Sequence, residues 1–338
     1  MAAFAHFEPC WVDAQLPDLE AGKRFYGELF GWTFRPGDGP YAEALGGGKL
    51  VAALAAKQDG RMPTAWGVYF ATDDIAATVA RIREAGGQVI IEPLPAGGAG
   101  VLAQAADPGG AVFGLWQAGE RKGFQKWNEP GSFCWTEVYT RQKDRVDAFY
   151  EEVFGFQGTD LGGPEEGAPE EDGPEQGAPG EREREEGART EGTPEEGGPE
   201  QGGPEEGTPE EDRPDADQSG ADESRADESR TTGSGTARSA ADFRVWSPAG
   251  TEPGPDTAIG GRRVLTDAFP AEMPSYFLIC FAVEDCNTTA GHTVRLGGRI
   301  TTPPFEIPYG RMAVLQDDQG AVFAVLQPSA AGRGQSGL

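Results

Sequence analysis

The sequence predicts an α+β protein of four βαβββ modules arranged as two homologous halves, with a long unfolded insertion in the second half. Three observations lead there, and internal repetition comes first because it decides the architecture. The run Phe25-Tyr26-Gly27-Glu28-Leu29-Phe30-Gly31-Trp32 returns 124 residues later as Phe149-Tyr150-Glu151-Glu152-Val153-Phe154-Gly155-Phe156, and Cys10-Trp11-Val12-Asp13 returns at the same offset as Cys134-Trp135-Thr136-Glu137. Further along, Phe70-Ala71-Thr72-Asp73-Asp74 and Gly86-Gly87 return 211 residues later as Phe281-Ala282-Val283-Glu284-Asp285 and Gly297-Gly298. The offset grows between the two sets by about the length of one segment, 162–242, which holds no Val, Ile, Leu, Met, Phe, Trp, Tyr or Cys.

The first module shows how the pattern reads. Residues 11–16 alternate and form a strand. Pro17-Asp18 opens a helix with Asp18 as N-cap, because a short carboxylate satisfies the free N–H groups of the first turn. Leu19, Gly22, Phe25/Tyr26 and Leu29/Phe30 recur at helical spacing and make its buried face, and Gly31 stands where a left-handed residue ends a helix. Strands follow around 41–45 and 50–55, separated by glycine turns. The second module repeats this with a strand at 68–72, a cap at Asp73 or Asp74, and a helix that buries Ile75, Thr78/Val79, Ile82 and Ala85 and ends at Gly86-Gly87. Its later strands are expected at 89–92, 100–105 and 111–117. Modules three and four follow by repetition.

The insertion is built from Pro-Glu-Glu-Gly variants and two Ala-Asp-Glu-Ser-Arg copies at 221–225 and 226–230. Ordering each residue costs about 1–2 kcal/mol, and this segment has no apolar area to bury in return, so 162–242 is expected to be disordered. It also carries most of the charge. Of the net −28, −18 lies between Pro164 and Ala240, where 25 Asp+Glu face seven Arg+Lys. An acidic tether for a basic partner is one reading. A tolerated expansion of a surface loop is the simpler one, since each doubling of loop length costs only about 0.6 kcal/mol.

An acid excess argues against nucleic acid or a membrane surface as partner, both being polyanions. No apolar run approaches the roughly 18 residues of a membrane span. The N-terminal residues carry no basic region or long apolar core, and four cysteines make no disulfide framework, so a reducing cytoplasm is expected.

At this point the residues resemble the vicinal oxygen chelate superfamily, which includes glyoxalase I, bleomycin-resistance proteins and extradiol dioxygenases. Three motifs carry the resemblance: the Phe-Tyr-x-x-x-Phe-Gly-Trp helix end, the strand–Asp-Asp–helix–Gly-Gly unit, and Asp107-Pro108-Gly109-Gly110-Ala111-Val112-Phe113-Gly114-Leu115 near the end of the half, in this order and repeated in both halves. The resemblance implies paired modules forming two domains, each a curved mixed sheet around a cup with helices on the convex side. The first domain would span 1–123 and the second 131–161 and 243–329. All four modules lie in one chain, so a monomer or a homodimer is expected.

The resemblance also implies where a divalent ion would bind: on the first strand of each module about seven residues before the helix cap, and just after the Asp-Pro-Gly-Gly turn. Those positions hold Trp11, Gly67 and Gly114 in the first half and Trp135, Leu278 and Ala324 in the second. An ion of this kind needs three or more converging N, O or S donors. Glu43 is a lone carboxylate on a hairpin strand, and the two histidines, His6 and His292, fall outside the ligand positions. No CxxC spacing occurs, and strand alternation points Cys10 and Cys134 away from Trp11 and Trp135, toward the helices. Gly46-Gly47-Gly48-Lys49 lacks P-loop spacing. The expectation is no metal and no cofactor.

Alternation instead fills the first cup with Trp11, Asp13, Gln15, Tyr69 and Trp116, and the second with Trp135, Glu137, Tyr139, Cys280, Val322 and Leu326. Aromatic walls with one carboxylate suit an aromatic or cationic organic ligand. Equally, the aromatics could plug a former metal cavity, and for the more apolar second cup that reading is favoured. Asp13 would serve as a general base if burial raised its pKa, but no second acid, nucleophile or cofactor fingerprint accompanies it. The function expected is therefore metal-independent binding of a small organic molecule. The alternatives are a metal-dependent lyase or dioxygenase with non-standard ligands, and an interaction protein whose acidic loop is the working part.

Overall fold

The computed structural model describes residues 4–37, 39–161 and 243–329; the segment 162–242, read above as disordered, lies outside the described residues. The first half runs β1 (Pro9–Leu16), α1 (Leu19–Phe30), β2 (Thr33–Pro36), β3 (Tyr41–Gly46), β4 (Lys49–Ala56), then β5 (Ala65–Ala71), α2 (Ile75–Glu84), β6 (Gln88–Ala96), β7 (Gly100–Ala106) and β8 (Val112–Ala118). The second half runs β9 (Phe133–Thr140), α3 (Lys143–Phe154), β10 (Gln157–Asp160), β11 (Phe243–Ser247), β12 (Gly260–Val264), then β13 (Tyr276–Ala282), α4 (Cys286–Arg295), β14 (Arg299–Ile307), β15 (Gly310–Gln316) and β16 (Val322–Pro328). Each half is one eight-stranded mixed sheet, ordered β2-β3-β4-β1-β5-β8-β7-β6 and β10-β11-β12-β9-β13-β16-β15-β14. The predicted tandem α+β architecture is the one observed. Among the described residues no helix is long and apolar enough to cross a membrane.

Local chemistry sets the helix ends. Asp18, Asp74 and Asp285 each accept a hydrogen bond from the backbone N–H three residues on, at 3.0, 3.0 and 2.6 Å. Module three has Gln142 at this position and no side-chain cap. Gly31 and Gly155 end α1 and α3 at φ 71° and 69°, the left-handed geometry that a β-carbon disfavours. The largest departure from the expected bounds is β6, expected at 89–92 and observed over Gln88–Ala96, and its counterpart β14 is equally long. Both lie at a sheet edge, and the ladder is irregular between Ile91 and Leu94 and between Thr302 and Phe305, which accommodates Pro93, Pro303 and Pro304.

The helix-bearing faces of the two sheets pack against each other. Trp66 meets Phe281 at 4.9 Å between ring centroids, Phe70 meets Phe277 at 6.1 Å and Tyr26 meets Phe323 at 5.8 Å, and one apolar core runs through both halves. Two reciprocal polar contacts fix this arrangement. The Tyr26 hydroxyl on α1 donates to Asp317 Oδ2 at 2.8 Å, and the Tyr150 hydroxyl on α3 donates to Asp107 Oδ2 at 3.3 Å. Asp107 and Asp317 head the repeat-related turns before β8 and β16, and each also gathers backbone N–H groups of its own turn. Gln319 adds a two-way amide clamp on Asp18, accepting from its N–H at 2.7 Å and donating to its carbonyl at 2.9 Å.

A buried hydroxyl–carboxylate hydrogen bond contributes about 1–3 kcal/mol. Tyr26→Phe is therefore expected to lower the unfolding free energy by about that much, and Tyr150→Phe by less because its bond is longer. Urea unfolding of the two variants against the parent checks the order.

Candidate functional site

In the first half, β1 turns Trp11, Asp13 and Gln15 onto the face away from the helices. Antiparallel pairing sets Tyr69 opposite Trp11 and Gly67 opposite Asp13. The Tyr69 hydroxyl donates to Asp13 Oδ2 at 3.1 Å, the Tyr41 hydroxyl reaches the same oxygen at 3.5 Å, and Trp11 Nε1 donates to the Tyr41 hydroxyl at 2.8 Å. Gln15 adds a further side-chain hydrogen bond to Asp13. The sheet makes this cluster possible. Asp13 and Glu43 flank Ala53 on β4, and Gln15 and Tyr41 flank Ala55, so two small residues leave room for the large side chains to lean together.

Gly114 on β8 pairs with Tyr69, and the phenol ring lies flat on its backbone. A β-carbon built at Gly114 would stand 2.1 Å from Tyr69 Cδ1, so no side chain is compatible with this ring position. Trp116 Nε1 donates to the Arg121 carbonyl at 3.0 Å. The Arg121 guanidinium pairs with Glu43, which also receives Arg35, and lies 5.7 Å from the Trp11 ring centroid and 6.0 Å from that of Tyr41. Arg121 thus covers the cup from the segment that joins the halves.

Burial dominates the electrostatics. Asp13 is 5 % exposed, and its partners are two hydroxyls and an amide, none of them a cation. Desolvation pushes its pKa up to about 6 despite the hydrogen bonds. Burial, followed by the nearby Asp13 charge, pushes the Tyr41 and Tyr69 hydroxyls up, so both stay protonated and donate.

The second half keeps the plan and changes the chemistry. Trp135 Nε1 donates to Glu137 Oε1 at 3.1 Å, and Arg263 Nε donates to Glu137 Oε2 at 3.2 Å. Glu137 therefore has the guanidinium that Asp13 lacks. Tyr139 stacks on Tyr276 at 5.0 Å and belongs to an apolar cluster with Leu278, Cys280, Met312, Val314 and Ala324, which fills this cup; Val322 and Leu326 pack against it. Cys134 departs from the alternation expected of it. Trp135 pairs with Cys280 and Phe133 with Phe281, so Cys134 is the extra residue of a β-bulge. A bulge breaks strict alternation, and Cys134 packs against the same cluster as Trp135 instead of facing the helices.

Open space lies beside the first cup. A groove of about 1270 Å³ runs from Arg35, Glu43 and Arg121 along the connecting segment to Trp135. Its floor includes Phe124 and Phe133, stacked at 5.1 Å with 13° between planes, and Phe124 also lies 5.7 Å from Trp11. Of the sequence-predicted residues, Trp11, Asp13, Gln15 and Tyr69 come together, with Trp116 joined to them through Arg121. Trp135 and Glu137 form a separate pair, Tyr139 stands in the apolar cluster, and only Trp135 lines the groove. Sequence reasoning missed Tyr41 and Arg121. Tyr41 was findable, because it shares a strand face with Glu43. Arg121 sits in a segment without periodicity, and nothing in the sequence points to it.

The chain belongs to the Glyoxalase/Bleomycin resistance protein/Dioxygenase superfamily, whose profile matches residues 4–115 and 132–325. It is 30 % identical over 330 residues to the Mycobacterium tuberculosis protein named "Putative glyoxylase CFP32", covering 95 % of each chain. It is 28 % identical over 355 residues to the Anthracycline biosynthesis protein DnrV of Streptomyces peucetius, covering 98 % of this chain and 99 % of that one. Among solved structures it resembles the Mn(II)-bound glyoxalase of Novosphingobium aromaticivorans, with TM-score 0.53 and 14 % identity over 95 % of this chain and 82 % of that one. It also resembles the 2,3-dioxygenase LapB of Pseudomonas sp. KL28, with TM-score 0.52 and 12 % identity over 96 % and 94 %. At these identities the structural likeness is one of fold.

Two outcomes test this geometry. Native Asp13 holds its proton up to about pH 6 while the unfolded chain releases it near 3.8, so its ionisation erodes stability as pH rises from about 4 to 6. Asp13→Asn removes that loss. It is expected to unfold like the parent at pH 4 and to exceed it by up to about 3 kcal/mol at pH 7, measured by urea titration at each pH. Gly114→Ala is expected to cost about 1–3 kcal/mol through overpacking. The cost should shrink in a Tyr69→Ala background, where the colliding ring is gone.

Proposed function

We propose that this chain binds a small organic molecule, flat and aromatic, without a resident metal ion, at the mouth of the first cup. The observation that carries this reading is the Tyr69 ring lying on Gly114. A residue position where the family resemblance implies a ligand is bare backbone, and the space above it is occupied by a phenol hydrogen-bonded to Asp13. The donor set does not fit a divalent ion. The other equivalent positions hold Trp11, Gly67, Trp135, Leu278 and Ala324, and among the described residues no three His, Cys, Asp or Glu side chains converge. Zinc or iron would require such convergence.

The groove supplies what a ligand needs. Binding pockets are mostly apolar with a few placed polar groups that fix orientation. Here stacked Phe124 and Phe133 and the half-buried Trp135 offer aromatic faces, while Arg121 and Arg35 share one buried carboxylate, Glu43. Arg121, over Trp11 and Tyr41, stands between groove and cup. An aromatic ligand is in keeping with the relative named for anthracycline biosynthesis, anthracyclines being flat fused-ring compounds. The second cup, filled and charge-paired, is assigned a structural role. We place the protein in the cytoplasm, as a monomer or homodimer, with neither nucleic acid nor membrane as partner.

The test uses protein purified without a histidine tag. Metal analysis by mass spectrometry is expected to find far less than one ion per chain, and a panel of fused-ring aromatics is expected to raise the melting temperature. Trp135→Ala should weaken the best binder about tenfold, the worth of one aromatic contact. One ion per chain, lost together with ligand binding on chelation, would overturn the reading.

A further inference from the structure

We propose that Cys134 and Cys280 are a redox pair that closes to a disulfide on exposure to a hydroperoxide. The bulge in β9 is the structural reason. It turns Cys134 onto the face that Cys280 already occupies, and the Cys134 thiol donates to the Cys280 carbonyl at 3.5 Å, against the same side-chain cluster. Cys134 is half-buried and lines the groove, whereas Cys280 is 2 % exposed behind it. One thiol meets solvent-borne oxidant and the other waits within reach.

The first half is an internal control. Its strand β1 carries the same bulge at Cys10, whose thiol makes the same contact to the facing strand, 3.4 Å from the Tyr69 carbonyl. Opposite Trp11, however, stands Tyr69, where the second half places Cys280 opposite Trp135. Cys10 has a phenol across the bulge and no thiol, and it is fully buried. Cys286, at the start of α4, belongs to the core on the helix side of the sheet. The geometry thus selects one pair out of four cysteines.

The chemistry balances with a hydroperoxide as the two-electron oxidant. Cys134 Sγ attacks the terminal peroxide oxygen, the O–O bond breaks, and an alcohol or water leaves, giving a sulfenic acid. Cys280 Sγ then attacks the Cys134 sulfur, the S–O bond breaks, and water leaves with the Cys280 proton. Two thiols and one hydroperoxide yield one disulfide, one alcohol and one water. Burial holds the Cys280 thiol protonated, so Cys134 is the sulfur that reacts first. The bridge would join β9 to β13 beside Trp135, in the groove wall.

The experiment treats the reduced, full-length chain with hydrogen peroxide and reads its intact mass, followed by peptide mapping. The expected product has lost two hydrogen atoms, remains monomeric, joins the Cys134 and Cys280 peptides, and reverts with dithiothreitol. Cys280→Ser should leave a sulfenic acid on Cys134 that dimedone traps, and Cys134→Ser should show no mass loss. Cys10→Ser and Cys286→Ser should behave like the parent. A disulfide that includes Cys10 or Cys286, a bridge between chains, or two unreacted thiols at 134 and 280 would each overturn the proposal.

Discussion

Burying the helix-bearing faces of two sheets against each other leaves each half with one face to use. The core of Trp66, Phe70, Phe277 and Phe281 can form only in that orientation, and Tyr26–Asp317 and Tyr150–Asp107 lock it from both sides. Both concave faces are then committed to the outside of the pair. Each has to be filled, covered or left open. The two halves, built from one repeating pattern, resolve this differently.

The second half fills its cup and neutralises its carboxylate. Glu137 meets Arg263 and the indole of Trp135, and aliphatic side chains take the remaining space. The first half fills its cup with hydroxyls and leaves the carboxylate without a cation. Burying an unpaired carboxylate is expensive, and the raised pKa of Asp13 is the measure of that expense. Nothing in packing alone requires it, since Val12, Ala14 and Leu16 already serve the core from the same strand. The two cups thus differ in how their carboxylates are held, and Arg121, contributed by the segment that connects the halves, pairs with Glu43 and lies over the Trp11 ring at the edge of the first one.

Much of this was legible in the sequence because it repeats. The alternation at 11–16, the capping Asp residues and the glycine stops each recur, so the modules could be read by comparison of one with another. Trp11, Asp13 and Tyr69 were assigned to one face by period-two logic, and the structure brings them together. That logic failed at Cys134, because a bulge inserts one extra residue that has no place in the alternation, and a bulge leaves no mark in composition. It was blind to Arg121, because a connecting segment has no period. It also could not say that Tyr69 would lie on Gly114, since that contact depends on register between β5 and β8, strands more than forty residues apart in the chain.

The joint between β10 and β11 shows what the scaffold requires of its own connectivity. Asp160 pairs with Arg244, and the Leu161 N–H donates to the Phe243 carbonyl at 3.0 Å, so the two strands already meet as a closed hairpin end. Their register is fixed by the ladder and by the buried rings of Tyr150 and Trp246, 4.4 Å apart between centroids, not by whatever joins them. Connectivity there is consequently free to vary in length and composition without a change in shape.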